Sequence, residues 1–274
     1  MLELRLSTHD VLPSSNNVVK HAIEAGEPQG LVVRTFKQTA GYGRLGRSWV
    51  SPEGGLYVSI LLRPQVDLRT LPTLGLVVGL ALQRTVEGIL PAELRSCLRV
   101  KWPNDLVWKG GDRQRGVFPK VSGISFERHA GGVCVGVGVN VFRPFGEQAV
   151  GGKNVPVYLA EVLEQRLQAA GVPAAVGPEG LVDEQRALIL GLCDRFLEEL
   201  AVVYDQWQEK GMAAFVDEYS RKLCLMDERV MVMDQLDQSV VSGMVQGVDA
   251  DGRLLLLTDA GVVEPVSSGV VQLA

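Results

Sequence analysis

Arginines interleaved with glycines are the first residues of this chain whose types and spacing could do chemistry. The segment Gln38-Thr39-Ala40-Gly41-Tyr42-Gly43-Arg44-Leu45-Gly46-Arg47-Ser48-Trp49 contains a G-x-G-x-x-G string. Glycines let a backbone approach a ligand and turn its N–H groups toward it. Guanidiniums give short, often bidentate hydrogen bonds to planar or tetrahedral oxyanions. The combination suits recognition of phosphate or carboxylate; the plainer alternative is a surface turn with solvated arginines. Charge favours the anion. Between Pro28 and Pro52 there is no acidic residue, while Arg34, Lys37, Arg44 and Arg47 add up to +4, although the whole chain carries −5. A dinucleotide site would need a helix after the glycines, and here a strand pattern follows. Strand, glycine loop and strand is the arrangement of a protein kinase, but none of His9, His21 and His129 stands in an H-R-D string and there is no D-F-G.

Three further groups carry polar chemistry among apolar neighbours: Lys101-Trp102-Pro103-Asn104-Asp105, Lys120 at the head of Val121-Ser122-Gly123-Ile124-Ser125-Phe126, and Gly136-Val137-Gly138-Val139-Asn140. Taken singly, a lysine at a strand mouth can snorkel and Asn-Asp after proline is an ordinary turn. Glycines inside a strand point to close approach of a ligand or another backbone. Four cysteines, Cys97, Cys134, Cys193 and Cys224, lie far apart with no Cys or His at metal-ligand spacing, which excludes a zinc site and a disulfide scaffold.

Elements that would hold these residues follow from periodicity. Strands are expected over Leu31–Gln38 and Leu56–Arg63 with the glycine loop between them. A helix buried on most sides is expected over Thr73–Leu90. Short strands at Leu98–Lys101 and Leu106–Trp108 should flank the Trp102–Asp105 turn and lead to a polar hairpin tip at Lys109–Gly116. Strands Lys120–Glu127 and Val133–Val141 come next. The pattern then predicts helices over Val157–Ala170 and Leu181–Lys210, covering one sheet face. From Arg229 onward period two returns with Asp/Gly turns, which predicts a small barrel with its own modest core and a boundary near Leu225.

Composition agrees with a folded chain: 46% hydrophobic and 22% charged residues exclude disorder and collagen. No run approaches the roughly 18 to 20 apolar residues of a membrane span, and the first residues lack a signal-peptide pattern, so a cytoplasmic protein is expected. The negative charge argues against nonspecific nucleic-acid binding.

In this order, with Ser14-Ser15-Asn16 upstream, the segments resemble the biotin protein ligases, over about residues 7 to 142 and more loosely over the C-terminal meander. The Lys101–Asp105 string is the most specific match. The resemblance implies an α+β fold: a mixed β-sheet catalytic domain covered by helices at 1–225, of the class II synthetase-like biotin/lipoate ligase type, followed by an SH3-like barrel at 226–274. It implies ATP-dependent formation of biotinyl-5′-AMP with release of pyrophosphate, then transfer of biotin to a lysine of a biotin carboxyl carrier domain, such as that of acetyl-CoA carboxylase. ATP and Mg²⁺ would be required, with biotin as substrate.

Residue by residue, the resemblance implies that Ser14, Ser15, Asn16, Gln38, Gly41, Tyr42, Gly43, Arg44 and Lys120 hold biotin. Arg44, Arg47, Trp49, Asn104 and Asn140 would meet ATP, and Lys120, Arg47 and Asp105 would be catalytic. Asp105 either orients Lys120 or assists magnesium, and no metal ligand set is otherwise assigned. Relatives often carry arginines where this chain has Tyr42 and Leu45, which predicts a weaker grip on the adenylate. An insertion at Lys109–Pro119 separates Asp105 from Lys120; a one-residue register slip there would turn Lys120 to the other face. The few residues before Ser14 leave no room for the winged helix-turn-helix of repressor relatives, so no operator binding is expected. The family includes homodimers. A lipoate-protein ligase and a peptide-binding SH3-like protein with a vestigial loop are the rival readings.

Overall fold

The computed structural model describes residues 2–110, 118–146, 155–234 and 238–274. The expected hairpin tip at Lys109–Gly116 lies largely outside the described residues. Seven strands form the main sheet: β1 (Arg5–Leu12), β2 (Leu31–Gln38), β3 (Gly55–Leu62), β4 (Leu98–Lys101), β5 (Asp105–Trp108), β6 (Lys120–His129) and β7 (Gly132–Asn140). Their order is β1-β2-β3-β7-β6-β5-β4, with β1 and β2 parallel and every other pair antiparallel. β1 had no sequence signal because its apolar residues do not alternate cleanly; it is half exposed at the sheet edge, with Leu6 and Val11 open to solvent.

The two faces of this sheet have different fates. Helix α1 (Ser15–Glu24) lies on one face and buries Val19 and Ile23 against Val33, Leu61 and Cys134. The other face carries the large core. There the helix α2 (Leu74–Ile89) is sandwiched between the sheet and the long helix α5 (Asp183–Lys210), which is why its apolar residues run nearly all round it. Trp207 of α5 is fully buried, and its indole N–H donates to Thr73 Oγ1 at 2.8 Å.

The expected helix over Val157–Ala170 is instead two short ones, α3 (Leu159–Val162) and α4 (Glu164–Ala169). Leu163 between them leaves helical geometry at φ −103°, ψ 13°. Ala160 N–H donates to Val141 O at 2.8 Å, so the first piece is bound to the sheet, while α4 buries nothing fully. Two different anchoring demands break the pattern. A last helix, α6 (Val216–Lys222), leads out of the sheet.

The C-terminal strands β8 (Arg229–Met233), β9 (Ser239–Val248), β10 (Leu254–Leu257), β11 (Val263–Val266) and β12 (Val270–Leu273) form an all-antiparallel sheet in the order β11-β10-β9-β8-β12. The expected closed barrel is not formed by hydrogen bonding among the described residues. Both edge strands are only four residues long, and Pro265 in β11 has no N–H to offer a partner. Nor is the core separate: Val230, Val232, Val245, Val248, Leu254 and Leu256 belong to the same apolar cluster as α2 and the main sheet. The join is specific. Cys224 N–H donates to Val100 O at 2.9 Å, and the buried Trp102 indole N–H donates to Gly252 O at 2.9 Å.

Among the described residues no helix is long and apolar enough to cross a membrane. All four cysteines are free; Cys134, Cys193 and Cys224 are buried, and burial pushes the thiols of Cys193 and Cys224 up to about 11 and about 12. They pack as small apolar groups, as isolated cysteines usually do.

Candidate active site

The face of the sheet beneath the start of α1 carries polar groups instead of packing. Ser14, the N-cap, is extended (φ −160°, ψ 128°), and Ser14, Ser15 and Asn16 are all buried. Ser15 donates through its N–H to Gln38 Oε1 at 2.8 Å, and its Oγ lies 2.7 Å from Ser59 Oγ. Ser59 donates to Asn16 Oδ1 at 2.7 Å, and Asn16 Nδ2 donates to Ser125 Oγ at 3.3 Å. Gln38 Nε2 in turn donates to Ser51 Oγ at 3.0 Å. A run of buried polar atoms must be hydrogen-bonded to be tolerated; here each member supports the next, and the result is a rigid polar wall.

The glycine loop runs from this wall across the sheet. Gly43 N–H donates to Arg47 O at 2.8 Å and Trp49 N–H to Gly41 O at 2.9 Å, so the loop closes on itself as a narrow hairpin. Its tip needs left-handed backbone at Leu45 (φ 57°) and Gly46 (φ 68°). Gly41 has no room for a side chain, since a Cβ would lie 2.5 Å from Ser51 Oγ. Trp49 then lies on a floor of bare backbone. A Cβ on Gly138 would meet Trp49 Nε1 at 2.6 Å, and one on Gly123, its cross-strand partner, would meet the same indole and the Lys120 amine at 3.0 Å. Gly136 makes the equivalent space for Asn16 Oδ1. The G-x-G-x-N string of β7 is thereby explained: valines face the core, and glycines give up volume to the wall and the indole.

Cationic groups converge at one edge of this floor. Arg44 Nη1 donates to Asn104 Oδ1 at 2.7 Å, and Lys120 Nζ is 2.7 Å from Asp105 Oδ1 and 4.9 Å from the Trp49 ring centroid. Asn104 and Asp105 are adjacent in the turn from β4 to β5, so one turn holds both cations. That turn is tied to β6 by Asn104 Nδ2 donating to Ile124 O and Ile124 N–H donating to Asn104 O, at 3.0 and 2.9 Å. Burial holds the Arg44 guanidinium below its ordinary pKa; Asp105 opposes that and nearby Arg47 adds to it. Arg47 itself is exposed and makes no ion pair among the described residues. These are the parts for neutralising two anions side by side.

Lys120 reaches this edge through a bulge. Asp105 pairs with Gly123 and Leu106 with Ser122, but Val107 pairs with Lys120, so one residue is extra between them. With a strict period of two, Lys120 and Gly123 would face opposite ways; the bulge puts both on the site face while Val121 and Ile124 stay in the core.

Residues 9–141, which contain every one of these groups, match the Biotin/lipoate A/B protein ligase family, and residues 227–273 match the Biotin protein ligase C terminal domain. The chain carries a biotin/lipoate A/B protein ligase domain followed by a biotin protein ligase C-terminal domain. It is 28% identical to Biotin--[acetyl-CoA-carboxylase] ligase of Mycobacterium tuberculosis over 94% of this chain and 84% of that one. It is 30% identical to the Bifunctional ligase/repressor BirA of Bacillus subtilis over 60% of this chain. The chain spans about half the length of that ligase/repressor, 49%. Biotin protein ligase from Aquifex aeolicus in complex with biotin and ATP superposes with a TM-score of 0.68 at 26% identity, covering 98% of each chain.

Within this ligase fold, the structure brings Ser15, Asn16, Gln38, Gly41, Arg44, Trp49, Asn104, Asp105 and Lys120 around one floor. Asn140 sits at the end of β7, where its Nδ2 donates to Lys120 O at 2.8 Å and so holds the strand from which Lys120 projects. Tyr42 turns away from the cations toward α1, its hydroxyl donating to Asn17 Oδ1 at 3.4 Å. Sequence reasoning missed Ser51, Ser59 and Ser125. Their signal was available: Ser59 is the one serine in the fully buried strand Gly55–Leu62, and a short polar side chain in such a strand needs a partner from another element.

Proposed function

We propose that this chain is an ATP-dependent biotin protein ligase. A biotin carboxylate oxygen attacks the α-phosphorus of ATP, the bond to the β-phosphate breaks, and pyrophosphate leaves. An acceptor lysine, as its neutral amine, then attacks the carbonyl of the mixed anhydride and AMP leaves. Neither step needs a protein nucleophile. The difficulty is bringing a carboxylate against a phosphate, and the remedy is positioned positive charge with water excluded. The observation that carries the reading is the convergence of Arg44 and Lys120 on the adjacent Asn104 and Asp105 beside an indole resting on bare glycine backbone.

In this reading the wall of Ser15, Asn16 and Gln38 offers donors and acceptors suited to a ureido group. Lys120 meets the carboxylate and α-phosphate, Arg44 and Arg47 meet the phosphates, and Trp49 separates the two substrates. Asp105 orients Lys120, to which it is already paired. Magnesium would arrive on the triphosphate with its waters, as it commonly does. The catalytic unit would be residues 1–225 with 226–274 as the C-terminal domain, and the acceptor the carrier domain of a biotin-dependent carboxylase.

The test is incubation of the chain with ATP, Mg²⁺ and biotin plus a generic carrier domain, with mass measurement of the carrier. A biotinyl adduct dependent on ATP supports the proposal. An adduct from lipoate and none from biotin would reassign the acyl substrate, and no nucleotide turnover with either acid would end the ligase reading.

A further inference from the structure

Tyr42 does not join the cationic edge, and its surroundings point to a different task. Its ring lies under the Lys20 amine, 5.0 Å from Nζ to the centroid, and its hydroxyl donates to Asn17 Oδ1. Lys20 and Asn17 both belong to α1. Lys20 Nζ is also 3.1 Å from Glu127 Oε2 on β6, with the lysine side chain 22% and the glutamate 31% exposed. Loop, helix and sheet thus meet at one lysine. On the far side of the hairpin Arg44 is tied to Asn104, and between these two tethers the tip residues Leu45–Ser48 are exposed. Burial would lower the Lys20 pKa, but its contacts with Tyr42 and Glu127 outweigh this and hold the amine above its ordinary value.

We infer that Tyr42, Lys20, Asn17 and Glu127 form a clasp that holds the glycine loop over the floor before any substrate binds, and that Tyr42 is a positioning residue rather than a ligand of biotin. This rests on the ligase reading and deepens it. A glycine-rich loop held at one side only would have to be ordered by the substrate, which lowers apparent affinity by the fraction of chains in the competent form. The clasp supplies that ordering from within the protein.

Two measurements test it. Trypsin cleavage after Arg44 and Arg47 in the unliganded chain reads loop opening without any reference to activity. Tyr42→Ala and Lys20→Ala should each speed it roughly tenfold, the worth of a partly buried cation–π contact. Tyr42→Phe, which keeps the ring over the amine, should stay within about twofold of the parent. Tyr42→Ala should also raise the biotin KM by about tenfold while kcat at saturation stays within about twofold, as loss of ordering does. In the Lys20→Ala/Tyr42→Ala chain the two effects should not add. Unchanged proteolysis in Tyr42→Ala overturns the clasp, and so does a Tyr42→Phe chain that keeps the parent's proteolysis rate yet raises the biotin KM as much as Tyr42→Ala, which would place the hydroxyl on substrate. Absence of any biotin-dependent pyrophosphate release would defeat the ligase reading but leave the proteolysis result standing on its own.

Discussion

Replacing Lys120 by Met separates its charge from its packing, because the methionine stem can still lie on the Trp49 indole. Two effects are expected. The first is on rate. The amine is side-chain buried to 12% exposure and positioned by Asp105 at 2.7 Å, and losing such a preorganised charge typically costs about 100- to 1,000-fold, roughly 2.7–4 kcal/mol. The second is on stability. Removing one partner of a fully buried pair costs about 3–5 kcal/mol and of an exposed pair up to about 1 kcal/mol; with Asp105 at 21% exposure this pair lies between, at roughly 1–3 kcal/mol. The double variant Lys120→Met/Asp105→Asn separates the two. Neutralising the stranded carboxylate should restore most of the melting temperature, while adenylate formation, followed by pyrophosphate release, stays at the slow level. If the double variant recovers the rate along with the stability, or if Lys120→Met alone slows the reaction by less than about threefold, the amine does not act on the reacting phosphate and the reasoning fails.

Three other outcomes follow from the same geometry. Gly138→Ala puts a Cβ 2.6 Å from Trp49 Nε1, so the indole must lift; intrinsic tryptophan emission should shift and biotin and ATP KM should both rise, whereas an unchanged spectrum with unchanged KM would mean the floor tolerates volume. Ser59→Ala removes the donor to Asn16 Oδ1 and the partner of Ser15, which should cost about 1–3 kcal/mol in urea unfolding with a larger effect on biotin KM than on ATP KM. Away from the site, the hydrogen bond from Arg84 holds the Glu218 carboxyl below its ordinary 4.5. The stability it adds is therefore present above pH 4.5 and is lost as pH falls through the depressed value. Glu218→Gln should be less stable than the parent at neutral pH, and the gap should close in acid; a gap that is constant with pH would assign the loss to packing.

The arrangement of the site was legible in the sequence where chemistry and spacing coincide. The arginines among glycines were singled out for what their side chains can do, whereas the Lys101–Asp105 string and Lys120, ordinary when taken singly, drew their roles from the resemblance; the structure gathers Arg44, Asn104, Asp105 and Lys120 around one floor. The glycines of β7 were legible as points of close approach, but what approaches, Asn16 at one and Trp49 at the other, depends on elements far away in the chain. Tyr42 was grouped with the site by its position in the loop; its side chain follows α1 instead, because Lys20 and Asn17 offer partners there. Neither β1 nor α1 was read from the sequence: one is an exposed edge, and the other is short and buries only Val19 and Ile23 as apolar residues.

Side-chain type and period belong to the chain itself: which residues are cationic, which strands alternate, where backbone must be free of Cβ atoms. Direction does not. Whether Lys120 faces Asp105 was decided by one extra residue in the ladder between β5 and β6, and a period of two carries no mark of where its count is broken. Likewise the Asp/Gly turns announce a C-terminal meander, but only packing against α2 and Trp102 decides that it shares the main core instead of closing a barrel of its own. Burial is a property of facing surfaces, and each surface is half supplied by residues a hundred or more positions away.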